Sequence, residues 1–132
     1  AESGPEGGVV TGLSFNKSAQ TLACSTASGV ISIYSQAGVL QDTLRPEDPL
    51  LGDKREVPTS ALCFSSSALS ICSGGNDRIL RIWDCRRREV VKLLHGHRAG
   101  ITCVSFAERD EATLSASSCG DILLHSIATS SP

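Results

Sequence analysis

The sequence lacks the marks of most chemistries. No apolar run approaches the roughly 18 residues of a membrane-spanning helix. The leading residues, AESGPEGG, carry neither the charged nor the apolar block of a secretion signal. Charge of one sign is missing too: the net charge is −2 and the pI about 5.9. That balance argues against bulk electrostatic binding to nucleic acid or an anionic membrane. The six cysteines include no C-x-x-C pair, so they read as free thiols of a cytosolic or nuclear protein rather than a secreted disulfide scaffold. There is no Gly-x-Ser-x-Gly elbow and no phosphate-cradling glycine loop followed by Lys-Ser/Thr. Carboxylates stand in turns and loops, not in obvious pairs. His95-Gly96-His97 with Cys103 falls short of the convergent ligands that zinc needs. No catalytic, cofactor or metal site is expected, and the chain reads as non-enzymatic.

What is present is a repeated unit. Residues 73–85 read SGGNDRILRIWDC. Gly74 and Gly75 relax the backbone, and Asn76-Asp77 is a turn pair that tolerates left-handed geometry. Ile79, Leu80, Ile82 and Trp83 form a β-preferring run closed by Asp84. A Trp-Asp pair after such a hairpin is the signature of a WD-repeat propeller blade. Phe64 lies 19 residues before Trp83, as Phe15 does before Tyr34 and Phe106 before His125. The residue two before each Phe is apolar (Leu13, Leu62, Val104), and so is the residue before each Trp equivalent (Ile33, Ile82, Leu124). The steps are 49 and 42 residues, within the range of stacked blades.

The expected fold is therefore all-β: a WD-repeat β-propeller of three consecutive four-stranded blades belonging to a larger ring. A propeller needs about 4–8 blades to close, and the sequence does not begin with Met, so the chain reads as a fragment. Residues 1–8 are taken as a linker, 9–44 as a blade, 45–57 as a charged loop insertion, 58–97 as a blade and 98–132 as an incomplete blade. All belong to one propeller domain. In the second blade the strands are expected at Thr59–Phe64, Leu69–Ser73, Arg78–Asp84 and Glu89–Leu94. Asn16-Lys17-Ser18 and Ser65 to Ser67 are expected as turns.

Blades of this kind commonly hold a buried network of a Gly-His histidine, a Ser/Thr, a turn Asp and the Trp indole. A buried indole N–H needs a partner. Ser73, Asp77, Trp83 and His97 are the expected members. The second blade has no His before it. The third has His97, but Cys119 at the Asp position and His125 at the Trp position; the first has Ser28 and Tyr34 instead. No blade holds the full set. Arg78, Arg81, Arg86, Arg87, Arg88 and Lys92 form the one local charge bias, and the five arginines are the candidate partner-binding residues. Arg78 and Arg81 flank the third strand, and the triplet tips the hairpin. Guanidinium groups there suit an acidic or phosphorylated partner segment.

Ser73-Gly74-Gly75, Ile82-Trp83-Asp84, Ile101-Thr102-Cys103-Val104 and Gly120-Asp121-Ile122-Leu123-Leu124-His125-Ser126 carry a narrower resemblance. The sequence resembles the WD-repeat family of γ-tubulin ring complex targeting factors of centrosomes and spindles (the neural precursor cell expressed, developmentally down-regulated family). The His-Ser pair in place of Trp-Asp is its most telling string. The resemblance implies a docking scaffold for centrosomal or spindle proteins. The γ-tubulin ring complex would be an indirect partner, with no nucleic acid and no membrane involved. It implies localisation in the cytoplasm and cytoskeleton, at the centrosome or another microtubule-organising centre and the spindle. In that family a separate C-terminal helical region binds the γ-tubulin complex, so direct binding is not assigned to these residues. The alternative is a WD-repeat interaction subunit of another assembly: a ubiquitin-ligase adaptor, or a chromatin or trafficking scaffold.

Overall fold

Alternating apolar residues and short polar turns make the chain a succession of antiparallel meanders. The computed structural model describes residues 9–16, 20–45, 59–67 and 69–126. The expected linker at 1–8, the loop insertion from residue 46 onward, Lys17-Ser18 and the tail after Ser126 lie outside them. The first sheet has strands β1 (Val10–Asn16), β2 (Thr21–Thr26), β3 (Ile31–Ser35) and β4 (Leu40–Leu44), in that order. The second has β5 (Thr59–Phe64), β6 (Ser70–Gly75), β7 (Leu80–Asp84) and β8 (Glu89–Leu94). The third has β9 (Ile101–Phe106), β10 (Ala112–Ser117) and β11 (Ile122–Ser126), with a single 3-10 turn over Glu108–Asp110. These are three consecutive blades of a β-propeller; the third shows three strands among the described residues.

Strand ends differ from the sequence reading in two instructive places. β7 starts at Leu80, not Arg78, because Arg78 takes a left-handed φ of 70° and donates its N–H to the Gly75 carbonyl at 3.1 Å. That closes the β6–β7 turn one step later, and Gly74 and Gly75 become strand residues. Asn16 ends β1 rather than opening the turn. It pairs with Thr21, and its side-chain amide donates to the Ser65 carbonyl at 2.8 Å.

The core lies between the blades, because each sheet is apolar on both faces. Ala23, Ile31, Ile33 and Leu44 of the first blade pack against Leu62, Phe64, Ile71 and Trp83 of the second. The second blade's other face places Cys72, Leu80 and Ile82 against Ile101, with Val104 and Phe106 alongside. Each large apolar side chain so buried stabilises by roughly 1.5–3 kcal/mol. The outward faces repeat the inner pattern without a neighbour in this chain. Leu62 and Phe64 are 8% and 7% exposed, while Leu13 and Phe15, their equivalents one blade earlier, are 63% and 55% exposed. At the other end Ile122 and Leu124, equivalents of buried Leu80 and Ile82, are exposed. Faces of this composition belong to blades within a larger ring.

The contact between the second and third blades is tightest at Gly74. A Cβ there would sit 2.7 Å from Ile101 Cγ2 and 2.9 Å from its Cδ1. Ile101 is itself fully buried, so it has nowhere to move. Gly74→Ala should therefore destabilise by about 1–3 kcal/mol. Exposed Val91→Ala, on the outer strand β8, should stay within about 0.5 kcal/mol. Urea denaturation checks this; equal midpoints for the two variants would refute the tight approach.

Candidate interaction surface and blade network

The turns fall on two rims. One carries the β5–β6 turn at 65–67, the β7–β8 turn at 85–88 and the 3-10 turn of the third blade. The other carries the β6–β7 turn at 76–79, the segment from His95 to Gly100 and the β10–β11 turn. The five arginines are divided accordingly. Arg86, Arg87 and Arg88 stand exposed on the first rim. Arg78 is exposed on the second, and Arg81, on β7, is half-buried with its guanidinium 2.7 Å from Asp77 on that same side. The five-residue strand between them is about 16 Å long at 3.3 Å per residue. The structure does not bring the five together as one patch.

The turn at 85–88 is built by Asp84. Its Oδ1 accepts the N–H of Arg86 at 2.9 Å and of Arg87 at 3.2 Å, and its carbonyl accepts the N–H of Arg88 at 2.8 Å. Arg88 is left-handed, with φ 58°. The Arg87 guanidinium lies 4.0 Å from Asp84 and 3.8 Å from Glu89, and Arg88 lies 3.5 Å from Asp42 of the first blade. Pairs this exposed contribute about 0–1 kcal/mol each, far less than the apolar interface beneath. Arg86 makes no ion pair among the described residues. The turn thus offers cationic side chains held by a firm backbone.

Beside it, on the same rim, the Ser65–Ser67 turn joins all three blades. Asn16 of the first blade donates to the Ser65 carbonyl. Asp110 of the third accepts the N–H of Ser66 at 2.9 Å and its hydroxyl at 2.7 Å. Asp110 reaches it from a left-handed φ of 58°. Sequence reading saw only a turn here, because a carbonyl acceptor leaves no trace in residue type.

The residues expected in the blade network form two short links rather than one network. In the second blade the Trp83 indole N–H donates to Ser73 Oγ at 2.9 Å, both groups being buried. Asp77 stands apart, accepting the Ile79 N–H at 3.3 Å and pairing with Arg81. In the third blade His97 Nε2 and Ser115 Oγ share a hydrogen bond of 2.7 Å. Ser115 was missed, though it lies 42 residues after Ser73, the step between the two blades. His125, at the Trp position, turns to the backbone instead, 2.9 Å from the His95 carbonyl. In the first blade Ser28 bonds the Thr26 hydroxyl at 3.0 Å.

Six free cysteines are present, and no group of three or more His, Cys, Asp or Glu among the described residues could hold a metal. No helix of the described residues is long and apolar enough to cross a membrane.

Comparison with known proteins agrees with this architecture. The WD domain, G-beta repeat family model matches residues 51–84 and 88–126. The chain belongs to the WD-repeat family, whose members are in general non-enzymatic scaffolds for protein interaction. It is similar to the U3 snoRNP-associated protein-like YAOH of Oryza sativa subsp. japonica, 41% identical over 58 residues, 44% of this chain and 11% of that protein. It is similar to the human protein NEDD1, 31% identical over 81 residues, 61% of this chain and 12% of that protein. The general transcriptional corepressor TUP1 of Saccharomyces cerevisiae is 35% identical over 46 residues, 35% of this chain and 6% of that protein. The chain thus spans about a tenth or less of these relatives' lengths.

Two predictions follow from the polar links. Ser73→Ala leaves a buried indole N–H unpaired, at a cost of about 1–3 kcal/mol, read from the denaturation midpoint followed by Trp83 fluorescence. Ser73→Thr, which keeps a hydroxyl, should lose less. The second concerns pH. His97 titrates below 6.5 because burial disfavours its charged form and His125 repels it; Asp121 acts in the opposite direction. The unfolded chain therefore takes up this proton first as pH falls. The His97 contribution is complete above about pH 6.5 and is lost progressively below it. Thermal midpoints of the parent should fall more steeply from pH 7.5 to about 5.5 than those of His97→Gln. Parallel profiles would disprove it.

Proposed function

We propose that this chain is part of a WD-repeat scaffold that helps recruit the γ-tubulin ring complex to microtubule-organising centres and the spindle. Its direct partners are centrosomal or spindle docking proteins, and the exposed turn Arg86–Arg88 is the contact point. The observation that carries this reading is the similarity to NEDD1 along 81 residues, the longest of the three alignments. Localisation at the centrosome and spindle belongs to the same proposal.

A second reading has its own support. The identity to the U3 snoRNP-associated protein-like YAOH is higher, 41%, and another relative is named a transcriptional corepressor. A scaffold in a nuclear assembly is the alternative, with the same rigid blades and a different partner.

The test is affinity capture from mitotic extract with the full-length protein, read by immunoblot for γ-tubulin and centrosomal markers. Two variants accompany it: Arg86→Glu, which disturbs no ion pair among the described residues, and the triple change at Arg86, Arg87 and Arg88. Capture by the parent and loss of most of the signal in both variants is the expected result. Capture by all three keeps the recruitment role and moves the contact elsewhere. Absence of γ-tubulin with the parent, together with nuclear localisation of the tagged protein, replaces the first reading with the second.

A further inference from the structure

The face that the second blade turns toward the third carries two thiols directly opposite one another. Cys63 on β5 and Cys72 on β6 are cross-strand partners. Partners in an antiparallel pair have Cα atoms about 4.5–5.5 Å apart, inside the roughly 4.4–6.8 Å that a disulfide spans. Both side chains belong to one cluster. Cys72 is wholly buried with Leu80, Ile82 and Ile101, and half-buried Cys63 packs against that group. No other cysteine pair shares a register position among the described residues: Cys24 stands opposite Leu13 and Ser32, and Cys103 opposite Ala116.

The two thiols are also chemically unequal. As a thiol, Cys63 points at the Phe64 carbonyl, 3.3 Å away. As a thiolate it accepts the S–H of Cys72, which draws its pKa down to about 6 against the opposing effect of burial; the Phe106 backbone and the Ser105 hydroxyl assist. The same hydrogen bond and full burial push Cys72 up, so it keeps its proton. The pair has the elements of a redox couple: a partly accessible sulfur whose ionisation is favoured and a protonated sulfur directly across the strand pair from it.

We propose that Cys63 and Cys72 are a peroxide-oxidisable dithiol that closes to a disulfide within the second blade. The Cys63 sulfur attacks one peroxide oxygen, the O–O bond breaks, and hydroxide leaves. Cys63 becomes a sulfenic acid. The Cys72 sulfur then attacks the Cys63 sulfur; the S–S bond forms, the S–O bond breaks, and hydroxide departs with the Cys72 proton as water. The dithiol loses two electrons to the peroxide. The product ties β5 to β6 against the third blade, and a dithiol reductant reverses it.

The sequence makes the test direct. Trypsin cleavage after Arg55 and Arg78 yields a peptide of residues 56–78 that contains Cys63 and Cys72 and no other cysteine. The full-length protein is treated with hydrogen peroxide, alkylated and digested. The expected product is this peptide lighter by two hydrogens and unalkylated, with full alkylation restored by dithiothreitol. Cys72→Ser should trap Cys63 as a dimedone adduct, whereas Cys63→Ser should leave Cys72 alkylatable. Full alkylation of the 56–78 peptide while the exposed Cys103 and Cys119 are oxidised would overturn the proposal. So would oxidation of Cys63 to a sulfinic acid in the parent without a disulfide. The parent digest decides alone if a variant fails to fold.

Discussion

Everything here depends on one packing requirement: each sheet is apolar on both faces, so no blade is stable without another blade against it. The contact of Leu62, Phe64, Ile71 and Trp83 with Ala23, Ile31, Ile33 and Leu44 satisfies that requirement once. Cys72, Leu80 and Ile82 against Ile101 satisfy it again. Hydrogen bonds then fix what the apolar contact leaves free. Ser14 Oγ accepts the Phe64 N–H at 3.0 Å, and Ser60 donates to the Ile101 carbonyl at 2.6 Å, each across a blade boundary. Such bonds add little net energy compared with apolar burial, but leaving them unmade is expensive. They set register where hydrophobic contact is indifferent to small slides.

Much of this was legible in the sequence, for a definable reason. The spacing of 19 residues from Phe to the Trp position survives in all three repeats, because in each blade the two residues share one middle-strand partner: Leu22, Ile71 or Thr113. Ser73 lies two residues along β6 from Ile71, the register partner of Trp83, and its hydroxyl accepts the indole N–H diagonally. What failed to show was anything decided by rims or by backbone acceptors. Arg81 and Arg86 are five apart in sequence, yet the strand carries one toward Asp77 and the other to the opposite rim. His125 satisfies itself on the His95 carbonyl, and Asn16 on that of Ser65. Cys63 and Cys72 read only as two of six free thiols; the hairpin register makes them neighbours.

The third blade shows how such a repeat diverges. With His125 where the second blade has Trp83, the large buried indole is gone, and His97 bonds Ser115 without an aromatic partner. Thr113, directly opposite His125, is buried with its hydroxyl unpaired among the described residues, as is Nδ1 of each of these two histidines. Unpaired buried polar groups are costly, and the blade carries three of them where the second blade has a closed Trp–Ser link. The exposed Arg98–Asp121 pair lies on the same rim as His97. It holds the Asp121 carboxyl below its usual range, but screening by water leaves it a small compensation.

The serine turn at 65–67 has a consequence for recognition. Three blades are fastened to it, and the arginine turn stands on the rim it braces. A flexible platform would have to be ordered whenever a ligand arrived, and that ordering subtracts from affinity. Here the ground under the guanidinium groups is set before any encounter. Only the arginine side chains themselves remain to be immobilised, at about 0.5–1.5 kcal/mol each. On the proposal that the Arg86–Arg88 turn is a contact point, such a surface would discriminate by the placement of anions on the visitor, because it has little freedom to mould itself to a poorly spaced one.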